Sequence, residues 1–293
     1  MMNYIVGLGE ALWDQLPEGR KIGGAPANFA YHISQFGYDA RVVSAIGDDQ
    51  LGRELLEEFD NAGLKYQIET VPYPTGVVNV DLDADGVPIY QIQRDVAWDN
   101  IPFTPELEEL AKQTQVAFFG SLAQRSEVSR ATINKFLDAM PDEEGRYKVF
   151  DINLRQHYYT KEILKSSMER CNILKITDEE LIALGRKFGY PGADLKDKCW
   201  ILLTKYRLEI LILTCGVNGS YIFTPGKVSF LATPKVEVAD TVGAGDSFTA
   251  SFITSLLKDG DIRAAHHRAV EVSAFVCTQH GAMPKIPAEI LEK

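Results

Sequence analysis

Short β-rich runs alternate along this chain with longer segments whose apolar residues recur at helical spacing. The strand-like runs are residues 4–9, 40–47, 116–120, 147–153, 172–177 and 209–214. The helical segments are residues 25–37, 50–63, 126–139, 161–170, 178–188, 193–206, 243–257 and 262–279. Apolar strands that are separated by helices are typical of a parallel sheet covered on both faces. The alternation therefore predicts an α/β fold.

Residues 75–93, TGVVNVDLDADGVPIYQIQ, interrupt the alternation. They form two strand-like runs around DADG, whose turn chemistry fits a β-hairpin. Residues 13–24 supply a further short strand pair. A hairpin inserted into a parallel α/β chain serves as a lid or, alternatively, only decorates the surface. We predict one core domain over residues 1–293, with lid segments near 13–24 and 75–95.

The net charge of −11 argues against a surface that follows a nucleic-acid backbone or an anionic membrane. The chain has no run of 18 apolar residues, and its N-terminus lacks the basic region of a signal peptide. Cys171, Cys199, Cys215 and Cys277 form no CxxC pair, which disfavours a zinc site. Dispersed cysteines suit a reducing compartment, so we expect a cytoplasmic protein without nucleic-acid or membrane partners.

The stretch DTVGAGDSF, residues 240–248, is the strongest candidate for chemistry. Gly243, Ala244 and Gly245 precede Asp246, and apolar residues at helical spacing follow. The free N–H groups at a helix start attract an anion such as a phosphate, and Asp246 would accept the proton of an attacking hydroxyl. The alternative is an ordinary helix start, in which Asp246 only complements the helix dipole.

Two separated motifs, GGAPANFA at 23–30 and DTVGAGDSF, resemble the paired signatures of the ribokinase-like (PfkB) carbohydrate kinases. The runs GLGEALWD, DINLR, TCGVNGS and HGAMPKIP also fall where that family has similar runs. The resemblance covers essentially the whole chain and is strongest to the fructokinase branch. It implies a three-layer α/β/α fold with a doubly wound, mostly parallel sheet and a small β-strand lid. It also implies ATP-dependent phosphorylation of a sugar hydroxyl.

The resemblance assigns roles to the motif residues. Asp246 matches the catalytic base, and Gly243, Ala244 and Gly245 match the anion hole. The residues that match sugar contacts, besides Asp246, are Asp14, Gly24, Asn28 and Arg94. Asn28 has the alternative of a polar helix-start residue, and Arg94 that of a solvated charge. For Tyr90 and Trp98 the sequence allows two roles, stacking on a sugar ring or packing in the lid or core.

The nucleotide side is assigned to later segments by the same resemblance. The matching residues are Asn153, Arg155, Thr214, Gly216, Gly219 and His280. A strand end followed by a glycine-rich turn is also where doubly wound sheets bind ligands. Alternatively, the turn is an ordinary connecting loop that binds no ligand, and His280 is an exposed histidine at the end of a helix.

The metal assignment carries one departure from the family pattern. The family motif Asn-x-x-Glu has Thr177 in its first position here, and Glu180 is still expected to organise Mg²⁺ through water. Asp240 is a candidate ligand for a monovalent cation such as K⁺, together with backbone carbonyls.

The predicted function is ATP-dependent phosphorylation of a small-molecule sugar, with fructose as acceptor and fructose 6-phosphate as product. Ribose, 2-keto-3-deoxygluconate, tagatose phosphate and a nucleoside stay open as acceptors. Arg94 is the one basic residue between positions 75 and 100, which favours a neutral sugar. A non-catalytic sugar sensor is the alternative from another class. The lid could also pair with the lid of a second subunit and form a homodimer.

Overall fold

The computed structural model describes residues 3–16, 19–82, 88–190 and 194–292, with backbone alone for 80–82 and 88–90. The strands are β1 Tyr4–Leu8, β2 Leu12–Leu16, β3 Gly19–Gly23, β4 Ala40–Gly47, β5 Lys65–Val71, β6 Val77–Leu82, β7 Pro88–Ile92, β8 Thr114–Gly120, β9 Tyr147–Asp151, β10 Ile173–Thr177, β11 Ile210–Thr214, β12 Ser220–Thr224 and β13 Lys227–Leu231. The α-helices are α1 Ala25–Gln35, α2 Gln50–Asn61, α3 Pro105–Lys112, α4 Glu127–Ala139, α5 Lys161–Arg170, α6 Asp178–Phe188, α7 Leu195–Lys205, α8 Ala244–Asp259, α9 Ile262–Cys277 and α10 Ala288–Leu291. The DADG turn of the predicted hairpin lies outside the described residues.

The large sheet has nine strands in the order β13-β12-β11-β10-β9-β8-β1-β4-β5. The seven strands from β11 to β5 are parallel, and β12 and β13 add an antiparallel edge. The prediction of a mostly parallel sheet is confirmed. The sequence did not indicate β5, β12, β13 or α3, because the edge strand β5 is half-buried with many polar residues and β13 is largely exposed.

Helices cover both faces of this sheet. Helices α3 to α7 pack on one face, and α1, α2, α8 and α9 pack on the other. Along β8, Val116 and Phe118 contact the second set, whereas Ala117 and Phe119 contact the first. Such strands need apolar residues at every position, which explains their continuous apolar runs. The three-layer, doubly wound arrangement is confirmed.

A second sheet in the order β3-β2-β6-β7 forms the predicted lid. Strands β2 and β3 form one antiparallel pair, β6 and β7 form another, and β2 joins β6 in parallel. The lid therefore combines two segments of the chain that are separated by α1, β4, α2 and β5. Trp98 lies at its base and is only 1% exposed, so its ring belongs to the core.

The strand order places a crevice between β1 and β8. The chain proceeds from β1 to β4 and β5 on one side, and from β8 to β11 on the other. At such a switch point the following segments diverge to opposite faces, which leaves an open crevice at the carboxyl ends of the strands. Among the helices of the described residues, none is long and apolar enough to cross a membrane.

Helix α1 is fixed to the sheet by a stack of two aromatic rings. The rings of Phe29 on α1 and Phe118 on β8 lie 4.4 Å apart at an interplanar angle of 10°, and both residues are fully buried. We expect Phe118→Ala to lower the free energy of unfolding by about 3–5 kcal/mol, because the lost ring leaves a cavity. Urea denaturation measures this change. Phe230→Ala, at a side chain that is 49% exposed, is the control and should lower the free energy of unfolding much less. Equal losses from the two substitutions would contradict the role of the buried ring stack in stability.

Candidate active site

A cleft of about 1750 Å³ lies between the lid and the carboxyl edge of the large sheet. Most of the site residues expected from the sequence line it. These are Asp14, Gly24, Asn28, Asn153, Arg155, Glu180, Thr214, Gly216, Gly219, Asp240, Gly243, Ala244, Gly245 and Asp246. The fold thus brings the two signature motifs to one cavity.

The two motifs meet in a hydrogen bond between α1 and α8. The Nδ2 atom of Asn28 donates to Oδ2 of Asp246 over 2.8 Å. Asp246 keeps part of its surface open to the cleft, but the surrounding protein displaces most of its water. Burial is the largest influence on the pKa of Asp246 and raises it, against the opposing effects of Asn28, Lys175 and Arg155. A carboxylate with a raised pKa is a stronger base, which suits proton abstraction.

The start of α8 has the features expected of an anion site. Side chains cap α2, α3, α5, α6, α7 and α9, whereas α8, like α1, α4 and α10, has no side-chain cap. Its N-cap is Gly243 in the left-handed conformation, with φ of 78°. A β-carbon added to Gly243 would lie 2.6 Å from the carbonyl oxygen of Ala282. Backbone N–H groups at the helix start are thus available to a phosphate that approaches closely.

Acids and backbone form the side of the cleft nearest the lid. Burial raises the pKa of Asp14, on β2, to about 6, with Arg155 opposing. Gly24 is the N-cap of α1, and a β-carbon there would lie 2.3 Å from the carbonyl oxygen of Glu10. Glu10 is 2% exposed, and burial raises its pKa to about 7. Sequence reasoning missed Glu10, although an acid inside the apolar run GLGEALW was the available signal.

Arg94 and Arg155 lie in different surroundings from those expected. Arg94 is exposed, hydrogen-bonds to Nε2 of His157 over 3.1 Å and lies above the ring of Tyr158. It does not line the cleft, and its contact with the sugar stays a prediction. Arg155 was assigned to the nucleotide, but its charge also acts on Asp14 and the other acids near the lid. The side chain of Tyr90 lies outside the described residues.

The turn after β11 forms the opposite side of the cleft. Thr214 ends the strand, and Gly216–Asn218 form a short 3₁₀ helix. Gly216 and Gly219 have φ of 52° and 106°, so glycine suits both positions. The apolar side chains of Val236 and Val238 line this part of the cleft while 38% and 58% exposed. His280 is exposed and does not line the cleft, so its contact with adenine stays a prediction.

Glu180 fits a role in holding a hydrated metal ion. Its Oε1 accepts the N–H of Leu154 over 2.8 Å, and its Oε2 accepts the N–H of Thr177 over 2.9 Å. The Thr177 hydroxyl caps α6 by accepting the N–H of Glu180, so the threonine preserves the capping box. Each carboxylate oxygen retains a lone pair for a water ligand.

Asp240 ties together two loops of the cleft. Its Oδ1 and Oδ2 accept the N–H groups of Val242 and Gly281, each over 3.0 Å. Burial would raise the pKa of Asp240, but these hydrogen bonds outweigh it and lower the pKa.

Within the described residues no three His, Cys, Asp or Glu side chains cluster as a metal site. A divalent ion would thus depend on water and substrate phosphates, as Mg²⁺ commonly does.

A buried ion pair beneath α8 also escaped the sequence analysis. Nζ of Lys175 lies 3.1 Å from Oδ2 of Asp151, and both side chains are less than 10% exposed. The signal was a lysine in the middle of the apolar strand NILKIT.

The chain matches the family model for the pfkB family of carbohydrate kinases over residues 18–289. It belongs to that family. Accordingly it is a PfkB-family sugar kinase with the ribokinase-like α/β fold, as the two signature motifs predicted.

Relatives with similar sequences are plant fructokinases. The probable fructokinase-5 of Arabidopsis thaliana is 30% identical, and the alignment covers 97% of this chain and 94% of the relative. Fructokinase-2 of Solanum lycopersicum is 28% identical, with 97% and 93% covered.

Solved structures share the fold. The fructokinase of Xylella fastidiosa with bound ATP superposes with a TM-score of 0.84 at 22% identity, covering 100% of this chain and 98% of the other. The fructokinase of Vibrio cholerae O395 with fructose, ADP and calcium ion gives a TM-score of 0.81 at 23% identity, covering 99% and 98%.

The left-handed N-cap of α8 yields a direct test. We expect Gly243→Ala to lower the free energy of unfolding by about 1–3 kcal/mol, because the backbone is strained and the new carbon meets Ala282. Binding of a non-hydrolysable ATP analogue, measured by calorimetry, should weaken as the anion site distorts, because its γ-phosphate would occupy that site.

The matched control is Gly260→Ala at the other end of α8. Gly260 has φ of 67°, but a β-carbon there meets no atom within 4 Å. It should cost about 1 kcal/mol and leave binding of the ATP analogue unchanged. Equal effects of both substitutions on binding of the ATP analogue would contradict the anion site at Gly243.

Proposed function

We propose that this sugar kinase is an ATP-dependent fructokinase that converts fructose to fructose 6-phosphate. The observation that carries the proposal is the Asn28–Asp246 hydrogen bond, which holds a carboxylate in the first turn of an uncapped helix inside a lidded cleft. The fructokinases of plants, at up to 30% identity, support fructose as the acceptor.

In the proposed step Asp246 is the general base. The sugar hydroxyl attacks the γ-phosphorus of ATP, its O–H bond breaks, and the proton passes to a carboxylate oxygen of Asp246. The new O–P bond forms as the bond from the γ-phosphorus to the bridging oxygen breaks, and ADP leaves with that electron pair. Asn28 fixes the carboxylate by its hydrogen bond, and the N–H of Gly245 stabilises charge on the moving group. The N–H of Ala244 donates to the carbonyl oxygen of Thr241 over 3.3 Å and would join it only after that contact is released.

Mg²⁺ would be held through water by Glu180 and would neutralise negative charge on the phosphates. Structural neighbours with ATP and Mg²⁺ or with ADP and a calcium ion support a nucleotide and a divalent ion in this cleft. A monovalent ion beside Asp240 is a further part of the proposal, supported by a neighbour with fructose, ADP and potassium ion.

The lid supports a neutral acceptor. Leu12, Val78 and Ile92 present apolar surface to the cleft, and Asp14 supplies an acceptor for hydroxyl hydrogens. Arg94, the basic residue of the second lid segment, lies outside the cleft wall. Two cations, Lys21 of β3 and Arg155, also line the cleft, but the acids Glu10 and Asp14 line the same side and would disfavour a phosphorylated or acidic sugar. Closure of the lid would exclude water and limit hydrolysis of ATP.

Release of ADP with Mg-ATP tests the acceptor. The panel contains fructose, ribose, 2-keto-3-deoxygluconate, tagatose 6-phosphate and adenosine, with a control that lacks acceptor. We expect fructose to give the highest kcat/KM. A higher value for another acceptor would replace fructose and keep the mechanism, whereas no release above the control would favour a non-catalytic sensor. The molar mass measured by light scattering after size-exclusion chromatography tests the proposed homodimer, which would form through the lids.

Asp246→Asn tests the base. The amide cannot accept the proton, so kcat should fall by about 10²–10⁴-fold while the KM for ATP changes little. Asp259→Asn is the matched control, because Asp259 is exposed at the opposite end of α8. A kcat of Asp246→Asn within a few-fold of the control would remove Asp246 from the mechanism.

A further inference from the structure

Lys175 lies on β10, a strand that is otherwise apolar. Only 8% of its side chain is exposed, which is rare for a lysine without a charged partner. Its partner, Asp151, is the residue opposite it on β9 in the parallel register, 3.1 Å away from Nζ to Oδ2. The transfer step proposed above uses neither side chain.

The ammonium group of Lys175 lies against the start of α8. A β-carbon added to Gly245 would lie 3.1 Å from Nζ of Lys175. Gly245 directly precedes Asp246 in the first turn of the helix. The missing side chain at position 245 therefore allows a buried positive charge next to the turn that carries the base.

Charged and polar groups face Asp246 from four neighbouring elements. Asn28 of α1 donates a hydrogen bond, while Lys175 of β10 and Arg155 after β9 supply positive charge. Glu10, which follows β1, and Asp151 at the end of β9 are acids whose charge opposes that of Asp246. Two of these five groups, Lys175 and Arg155, can thus offset the desolvation of the Asp246 carboxylate by their charge.

Three acids face Lys175 in turn. Burial opposes its charged form, but the carboxylates of Asp151, Glu180 and Asp246 outweigh burial and raise the pKa of Lys175. Lys175 therefore stays positively charged at every pH at which the enzyme would work.

The two cations near Asp246 differ in their exposure to water. Arg155 is exposed, so solvent and salt screen its charge. Lys175 is almost completely buried, so its charge acts through a medium of lower dielectric constant. Lys175 is thus the cation whose effect on Asp246 persists when water leaves the cleft.

We propose that Lys175, anchored by Asp151, is a positioning residue that keeps the Asp246 carboxylate ionised at the start of α8. Asp151 holds the ammonium beneath Gly245, and the ammonium stabilises the negative charge that the base needs. The inference rests on the proposed function, in which Asp246 accepts the proton of the sugar.

A first experiment measures the proton affinity of Asp246 without using activity. Urea unfolding is followed from pH 4 to pH 9 for the wild type, Asp246→Asn, Lys175→Met and the double variant. Burial raises the pKa of Asp246 in the folded state. Its contribution to stability is therefore full at low pH and is lost as the pH rises through the folded value. The difference in the free energy of unfolding between the wild type and Asp246→Asn therefore stops changing with pH near that pKa.

In the Lys175→Met background this difference should level off at a pH higher by about one unit or more, a tenfold change in proton affinity. An unchanged profile would overturn the inference. Because unfolding reports on Asp246 directly, this result holds whichever acceptor the enzyme uses and whether or not Asp246 is the base.

A second experiment follows kcat/KM for the best acceptor against pH. The acidic limb should move to higher pH in Lys175→Met. In Asp151→Asn the amide oxygen still accepts a hydrogen bond from Nζ and holds the ammonium, while the negative charge that faces both Lys175 and Asp246 is removed, so the limb should move to lower pH. Lys148→Met is the matched control. Lys148 is a half-buried lysine near the opposite end of β9, and its variant should leave the limb in place.

A lower kcat at every pH with an unmoved limb would show a structural role for Lys175, or a direct contact with the phosphoryl group, and would overturn the inference. If the wild type releases no ADP above the control with any acceptor, the proposed function is contradicted instead. The unfolding experiment alone then tests the inference about Lys175.

Discussion

The hydrogen bond between Asn28 and Asp246 joins residues that are 218 positions apart, and the candidate site depends on it. It exists because α1 and α8 pack side by side on one face of the sheet, with both N-termini at its carboxyl edge. One helix start presents Gly24 and the amide of Asn28 to the cleft, and the other presents backbone N–H groups and the carboxylate of Asp246. The parallel sheet is therefore the scaffold that sets the distance between the two signature motifs.

Burial has a common effect on the acids of the cleft. It raises the pKa of Glu10, Asp14 and Asp246, and positive charge from Arg155 opposes the rise in each case. The cleft thus concentrates carboxylates where a neutral sugar can hydrogen-bond to them, in a chain whose net charge is already −11. Bound phosphates would need local compensation in such a site, and the N-terminus of α8 and the cations of the cleft wall, such as Arg155 and Lys235, can supply it.

The sequence predicted those parts of the fold that local patterns determine. The helical segments 161–170 and 178–188 coincide with α5 and α6, because buried apolar positions recur on one face of each helix. The two signature motifs are also local patterns, and the fold joins them through the hydrogen bond between Asn28 and Asp246. Lys175 and Asp151 were missed because their contact depends on the register of β9 and β10, which local patterns do not encode. The assignments of Arg94 and His280 rested on resemblance alone, and the fold places both side chains away from the cleft wall.

The lid consists of two stretches of chain separated by α1, β4, α2 and β5. They are joined by the parallel pairing of β2 with β6. Neither stretch forms a complete sheet by itself, so the lid cannot be transferred between relatives as one continuous segment. Recombination between sugar kinases that exchanged only one stretch would disrupt the pairing of β2 with β6, which runs from Trp13–Val77 to Gln15–Asn79. New acceptor preferences are therefore more accessible through point changes within each stretch than through exchange of whole segments.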